Sequence, residues 1–372
     1  MKIGIITIQR SEVNFGACLQ SYALWRYISN LGFDCEVIDL LRPCHRDYER
    51  SVTFGEVPQS IRSKVKDKIR LLFLPTKKKN GLSKYRDFNN KVKYSIQYKS
   101  VDELYKSHVK YNVLVSGSDQ IWNPKMPFVN EPYFLTFAPP KCKRIAYASS
   151  FGINTVQNDV KMNYKKWLSA YQHVSVREDS GAKLIEQITG KKAKVVLDPV
   201  FLITKEEWKN EMQVLSDIIP QKYIFCYMLH YDEKLLRKAI DISKSKNLQL
   251  ILVLSENKTI VNDDVVQMTN IGPAEWLWLI NNAKFMVTNS FHGSAFSIIF
   301  RTPFAVFLRK GTPTNTRIEG LLEKLNLSDH IFDIDIDLDL SEHNLGYNEK
   351  LDSALNLAIS DSMNYLSNAI SE

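Results

Sequence analysis

No stretch of the 372-residue chain approaches the roughly 18 consecutive apolar residues that span a bilayer. A transmembrane helix is therefore excluded, and the opening MKIGIITIQRSEVNFG turns polar too early for a secretory signal. A cytoplasmic protein is expected. Cysteine is scarce: Cys18, Cys35, Cys44, Cys142 and Cys226 are odd in number, scattered, and spaced for neither zinc nor a disulfide frame, so they read as small buried hydrophobes. Gly-aromatic RNA signatures and zinc-finger spacings are also missing, which argues against a nucleic-acid partner.

What is present describes a folded chain of more than one domain. Hydrophobic residues make up 44% and charged residues 24%, the balance of a globular protein and not of a disordered one. The length exceeds one ordinary domain of about 100–200 residues, so two are expected, each with its own core. The net charge of +8 is concentrated: residues 42–110 hold 18 Lys and Arg against 7 Asp and Glu, and the remainder nets −3. Such a segment suits an anionic membrane surface or a lipid-diphosphate-linked substrate, and it equally suits a solvated helical face.

Hydrophobic periodicity alternates between strand and helix. KIGIIT, a polar loop, ACLQSYALWRYISNLG and CEVIDL form a βαβ opening, the signature of a parallel sheet covered by helices. YNVLVS, RIAYASSFG, HVSVRED and KVVLDPVFLI continue it, and the stretch from Pro199 to Pro220 reads as an interdomain passage with one short helix. The grammar then repeats through KYIFCYML, LQLILVL, KFMVTNS and PFAVFL with helices between. An α/β protein of two tandem Rossmann-like domains facing a cleft is expected. The domains would cover residues 1–203 and 204–345, with a last helix in 346–372 crossing back to the first. FDIDIDLDL, with Asp333, Asp335, Asp337 and Asp339 on one face, reads as a half-buried edge strand sooner than a cation site.

Polar clusters directly after apolar strands are the candidate site, because an open α/β sheet presents ligand groups there. Thr288-Asn289-Ser290-Phe291-His292-Gly293-Ser294 closes a strand and opens a helix, whose first N–H groups attract phosphate or carboxylate. His292 at its rim is the candidate acid and base, since histidine exchanges a proton near neutral pH. Arg177, at the end of the strand in HVSVRED, suits either a bidentate anion contact in the cleft or a salt bridge to Glu178 or Asp179. Ser118, Asp119, Gln120, Trp122 and Asn123 combine carboxylate, amide and indole as sugar sites do, with Asp119 a second catalytic candidate or a helix cap. Asn14 and Gly16 open the first helix as a weaker candidate of the same kind.

NFGACLQSYAL, GSDQIWN, YASSFG, SVRED, LDPVFL and TNSFHG resemble, in that order, the polysaccharide pyruvyl transferase family over nearly the whole chain. The resemblance implies a fold similar to GT-B glycosyltransferases. It also implies transfer of a pyruvyl group from phosphoenolpyruvate to two hydroxyls of a sugar on a lipid-linked or polymer glycan, forming a ketal with no metal and no further cofactor. By motif, His292 matches the catalytic histidine and Arg177 the arginine at the donor's anionic end. Gly293 and Ser294 would neutralise the donor with the helix opening, and Lys310 would be the donor-binding lysine. Characterised members often carry arginine two residues before the histidine, where this chain has Ser290. Arg309, Lys310 or Arg317 would then supply that charge. A nucleotide-sugar glycosyltransferase and a non-catalytic glycan-binding relative are the alternatives.

Overall fold

The computed structural model describes residues 1–9, 14–56, 76–215, 218–309, 311–336, 345–347 and 349–372, without the side chains of 76–80 and 313. Two parallel sheets organise it. The first holds β1 (Lys2–Ile6), β2 (Asp34–Leu40), β3 (Tyr94–Tyr98), β4 (Val113–Ser116), β5 (Lys143–Ser149), β6 (His173–Val176) and β7 (Lys194–Val195), in the order β3-β2-β1-β4-β5-β6-β7. The second holds β8 (Tyr223–Met228), β9 (Gln249–Leu254), β10 (Val265–Gln267), β11 (Phe285–Thr288), β12 (Phe304–Phe307) and β13 (Ile331–Phe332), in the order β10-β9-β8-β11-β12-β13. The second order reads 3-2-1-4-5-6 within its own half, the Rossmann pattern, and the first reads the same with a seventh strand added at its edge, so each sheet has a switch point where strand order reverses. These lie between β1 and β4 and between β8 and β11.

The helices are α1 (Phe15–Asn30), α2 (Thr76–Asn89), α3 (Val101–Lys106), α4 (Asn158–Ser169), α5 (Asp179–Thr189), α6 (Lys205–Asn210), α7 (Glu233–Ser245), α8 (Pro273–Asn282), α9 (Phe291–Phe300), α10 (Thr316–Lys324) and α11 (Glu349–Ser371). Their ends follow local chemistry. Asn14 caps α1 by accepting from the Ala17 N–H, and Asp232 caps α7 by accepting from Lys234 and Leu235. Among the described residues no helix is long and apolar enough to cross a membrane.

The two sheets share one hydrophobic core, with α1 sandwiched inside it. Phe15 of α1 stacks on Trp276 of α8 at 5.2 Å and 10°, and Trp208 of α6 meets Phe296 of α9 edge-on at 5.0 Å. The passage after Pro199 is part of that core: Val200, Phe201, Leu202 and Ile203 are buried, and the Trp208 indole donates to the Val200 carbonyl. Burial of this kind holds the halves in fixed register. From the far end, α11 lies against the first sheet: Tyr365 Oη donates to the Ala146 carbonyl, and Ser362 Oγ accepts from the Leu197 N–H.

Three expectations are corrected. The acidic alternation after Ile331 is not an edge strand over its described part, because Asp333 Oδ1 accepts from the Asp335 N–H and turns the chain after only two residues of β13; Asp337 and Asp339 lie outside the described residues. Cys44 is exposed, unlike the other four cysteines. The basic segment 42–110 is not one solvated face: Arg42 is buried and donates to the Gln9 carbonyl, and Lys84 pairs with Glu275 of the second half at 2.5 Å.

Candidate active site

β11 ends at Thr288, whose hydroxyl donates to the Tyr227 carbonyl and accepts from the Ser290 N–H. Asn289 then ties the two strands of the switch point together, accepting from the Leu229 N–H and donating to the His230 carbonyl. Ser290 caps α9 by accepting from the Gly293 N–H at 3.3 Å. His292 is thereby fixed in the first helical turn, 9% exposed, with its ring edge-on to Phe291.

The first half reaches this ring through a missing side chain. A Cβ on Gly16 would lie 2.0 Å from His292 Nδ1, so only glycine allows α1 to approach so closely. Glycine at 293 has a similar cause, since a Cβ there would meet Thr288 Oγ1 at 2.6 Å. On the other edge, His292 Nε2 is buried, makes no hydrogen bond among the described residues, and stands 3.8 Å from Asp198 Oδ2.

Asp198 is the hub of a buried polar network. It accepts from Ser118 Oγ and from an Arg177 guanidinium nitrogen, each at 2.8 Å, and its other oxygen accepts from the Val200 N–H. A second Arg177 nitrogen reaches Asp119 at 3.3 Å, while Nε lies 3.8 Å from Glu178. The guanidinium also sits over the Phe291 ring at 4.7 Å. Asp119 adopts φ +70°, the left-handed region that a non-glycine residue occupies at a cost. Its carboxylate accepts from the Gln120 N–H.

Electrostatics follow from this packing. Burial pushes the His292 pKa down, and the attraction of Asp198 does not offset it, so the ring is held below its ordinary value and favours the neutral form. Burial opposes ionisation of Asp119, but Arg177, then His292 and Arg317, outweigh it and keep the carboxyl below its usual range. Arg317, in the first turn of α10, is 8% exposed; burial first, then the like charge of Arg177, lowers its pKa to about 10. It is a cation without full compensation, facing a cavity.

That cavity, about 210 Å³, lies where the two switch points face each other. Asn14, Gly16, Asp119 and Gln120 line it from the first half, and Ser290, His292, Arg309 and Arg317 from the second. The amides of Phe291 and His292, first in α9, have no intrahelical acceptor and add partial positive charge. A larger depression of about 390 Å³ between α5 and α10, lined by Asp179, Lys183, Glu319 and Glu323, lies away from His292. Its side chains carry charges of both signs and include no histidine.

Several sequence-based candidates stand elsewhere. Trp122 is fully buried, stacked on Phe134 with its indole N–H given to the Tyr133 carbonyl, so it is not a platform for a sugar. Asn123 is buried in the same turn and donates to Gln120 Oε1, and Ser118 serves Asp198. Arg177 has a fully buried side chain and does not line the cavity; it is salt-bridged, but mainly to Asp198 and Asp119, with the expected neighbour Glu178 at 3.8 Å. The Gly293 amide is taken by Ser290 Oγ and the Ser294 amide by the Ser290 carbonyl, so neither is free for an anion. Lys310 lies outside the described residues. Asp198 and the Thr312–Asn315 loop were missed. Asp198 had the same signal as the others, an acid directly after the apolar run VVL.

The sequence profile described as polysaccharide pyruvyl transferase matches residues 14–311. No curated protein matches the chain by sequence. Among solved structures it is similar to UDP-GlcNAc 2-epimerase from Methanocaldococcus jannaschii, at 15% identity and TM-score 0.51 over 96% of this chain and 93% of that one. It is also similar to a putative UDP-N-acetylglucosamine 2-epimerase from Listeria monocytogenes, at 9% identity and TM-score 0.53 over 100% and 89%. S. aureus MnaA, solved with UDP, aligns at 10% identity and TM-score 0.51 over 99% and 91%. These likenesses fix the architecture as two Rossmann-like domains of the GT-B type.

Proposed function

The chain belongs to the polysaccharide pyruvyl transferase family, and from that premise we propose that it moves a pyruvyl group from phosphoenolpyruvate to a sugar of a cell-surface glycan or its lipid-linked precursor, closing a ketal. One observation carries the reading. Arg317, a buried cation with a lowered pKa, shares a cavity with an unpartnered buried His292. An under-compensated guanidinium gains most when a multiply charged anion arrives, because the ligand supplies the charge that the protein withholds.

The reaction takes three proton movements. The methylene carbon of phosphoenolpyruvate gains a proton, C2 becomes electrophilic, and a sugar hydroxyl attacks it and loses its proton. The C2–O bond to phosphate then breaks, and a second hydroxyl closes the ketal as its proton leaves with phosphate. His292 is neutral in the free protein, and a trianionic donor beside the ring raises its pKa, so it takes up a proton from solvent as the donor binds and delivers it to the methylene carbon; neutral again, it is suited to take the proton of the attacking hydroxyl. Arg317, Arg309 and the start of α9 would hold carboxylate and phosphate, replacing the arginine that Ser290 lacks. Asp119 faces them across the cavity, where it would orient or deprotonate the acceptor. Arg177 and Asp198 act beneath the site as a fixed scaffold. The sequestered cavity keeps water from the electrophile.

A thermal-shift comparison tests the donor. Phosphoenolpyruvate is expected to raise the unfolding midpoint, and Arg317→Ala to remove that rise. A rise with UDP-GlcNAc alone would favour the glycosyltransferase reading.

A further inference from the structure

A second chamber, of about 310 Å³, adjoins the His292 cavity. It opens at the carboxyl ends of β9 and β10 and is closed on the opposite side by α2 and Phe15 of the first half. The two spaces share their dividing ridge. Gly16 lines one and Phe15 the other; Tyr227 lines the first and packs on Phe15 at 5.7 Å. Across the rim, His230 of the first pairs with Glu256 of the second at 3.0 Å.

The chemistry of the chambers differs. The first presents two arginines. In the second, the charges at the rim are already committed: Glu256 to His230, and Lys258 to the Tyr231 ring, 3.3 Å from its centroid. Its floor is apolar and aromatic, made by Phe15, Tyr85, Val253 and Ile271. Above that floor, the hydroxyls of Thr259 and Thr269 and the amide of Asn257 carry no hydrogen bond among the described residues. Free donors and acceptors around an apolar floor match a neutral ring with hydroxyls at its edge and C–H groups on its face. The volume lies at the lower end of small-molecule sites, about 300–1,000 Å³.

We propose that this chamber binds a neutral hexopyranose unit of the acceptor glycan, next to the unit that reacts at His292. The acceptor then enters over β9 and β10 and α2, not over the Trp122 turn. A glycan occupying both chambers has its reacting hydroxyls held against the donor by a contact outside the chemistry, which is how remote binding lowers a barrier. The inference rests on the proposed transfer reaction, but its test does not require turnover.

Two of the eight methionines report separately, Met268 in the second chamber and Met126 in the first. With ¹³C-methyl methionine, the methyl glycosides of galactose, glucose, mannose and N-acetylglucosamine are titrated singly, then uridine, then phosphoenolpyruvate. At least one glycoside is expected to move the Met268 methyl in a saturable way. Thr269→Trp, a change at an exposed position, is expected to abolish that response and leave the phosphoenolpyruvate response at Met126 intact. The proposal is overturned if no glycoside moves Met268, if uridine alone moves it, or if Thr269→Trp leaves the glycoside response unchanged. Failure of the donor reading appears elsewhere, as a silent Met126 with phosphoenolpyruvate.

Discussion

Gly16→Ala sets two effects of opposite sign against each other. Gly16 is the second residue of α1, where alanine is ordinarily the better residue by at most the roughly 0.8–1.0 kcal/mol of a helix interior. Propensity alone therefore predicts a more stable protein. The structure predicts the reverse, because the new methyl would lie 2.0 Å from His292 Nδ1 and 2.5 Å from Cε1, far inside contact distance. The ring cannot simply retreat, since its Nε2 edge faces Asp198 at 3.8 Å and it packs edge-on with Phe291. Overpacking of a filled site costs about 1–3 kcal/mol, which exceeds the helical gain over most of that range. A net loss of up to about 2 kcal/mol in urea unfolding is expected. Turnover should fall further, about 10²-fold, because a displacement near 1 Å at the acid–base group is enough. A variant as stable as the parent, with unchanged phosphate release, would refute the contact between α1 and His292.

Other consequences follow from the same geometry. His292→Ala is expected to lower phosphate release from phosphoenolpyruvate in the presence of acceptor glycan by about 10²–10⁴-fold while the unfolding midpoint is kept; loss of the fold instead would make the residue structural. Asp198→Asn removes the negative partner of a buried guanidinium and should cost about 3–5 kcal/mol in chemical denaturation, and a cost near zero would show the network is not stabilising. His292 has a folded pKa below its unfolded one, so the unfolded chain binds the extra proton first. Stability is therefore expected to fall as pH drops below the ordinary histidine value of about 6.5 toward the lowered folded one. His292→Gln should flatten that part of the profile, and an unchanged slope would assign it to other groups.

The architecture was legible because buried parallel strands such as VLVS and IFCYM are continuous apolar runs and the turns between them are polar. The histidine segment was legible for the same reason, since strand, cap and helix coincide on seven residues. Trp122 was not, because the left-handed φ of Asp119 turns the chain back under the sheet just after the polar cluster begins. Arg177 was not, because its partners Asp119 and Asp198 come from the ends of different strands, 58 and 21 residues away in sequence. The intimate join of the two halves was also hidden. α1 reads as an ordinary surface helix over the first sheet, yet Phe15 at its start is buried against Trp276 and Tyr227 of the second half.

The central claim is that the His292 cavity takes a multiply charged donor whose arrival protonates the histidine. Calorimetric titration of phosphoenolpyruvate near pH 7, in two buffers of different ionisation enthalpy, measures both parts at once. Binding accompanied by net proton uptake is expected, with uptake lost in His292→Gln and binding lost in Arg317→Ala. Binding with no uptake would contradict the acid–base role of His292, and absence of binding would contradict phosphoenolpyruvate as donor.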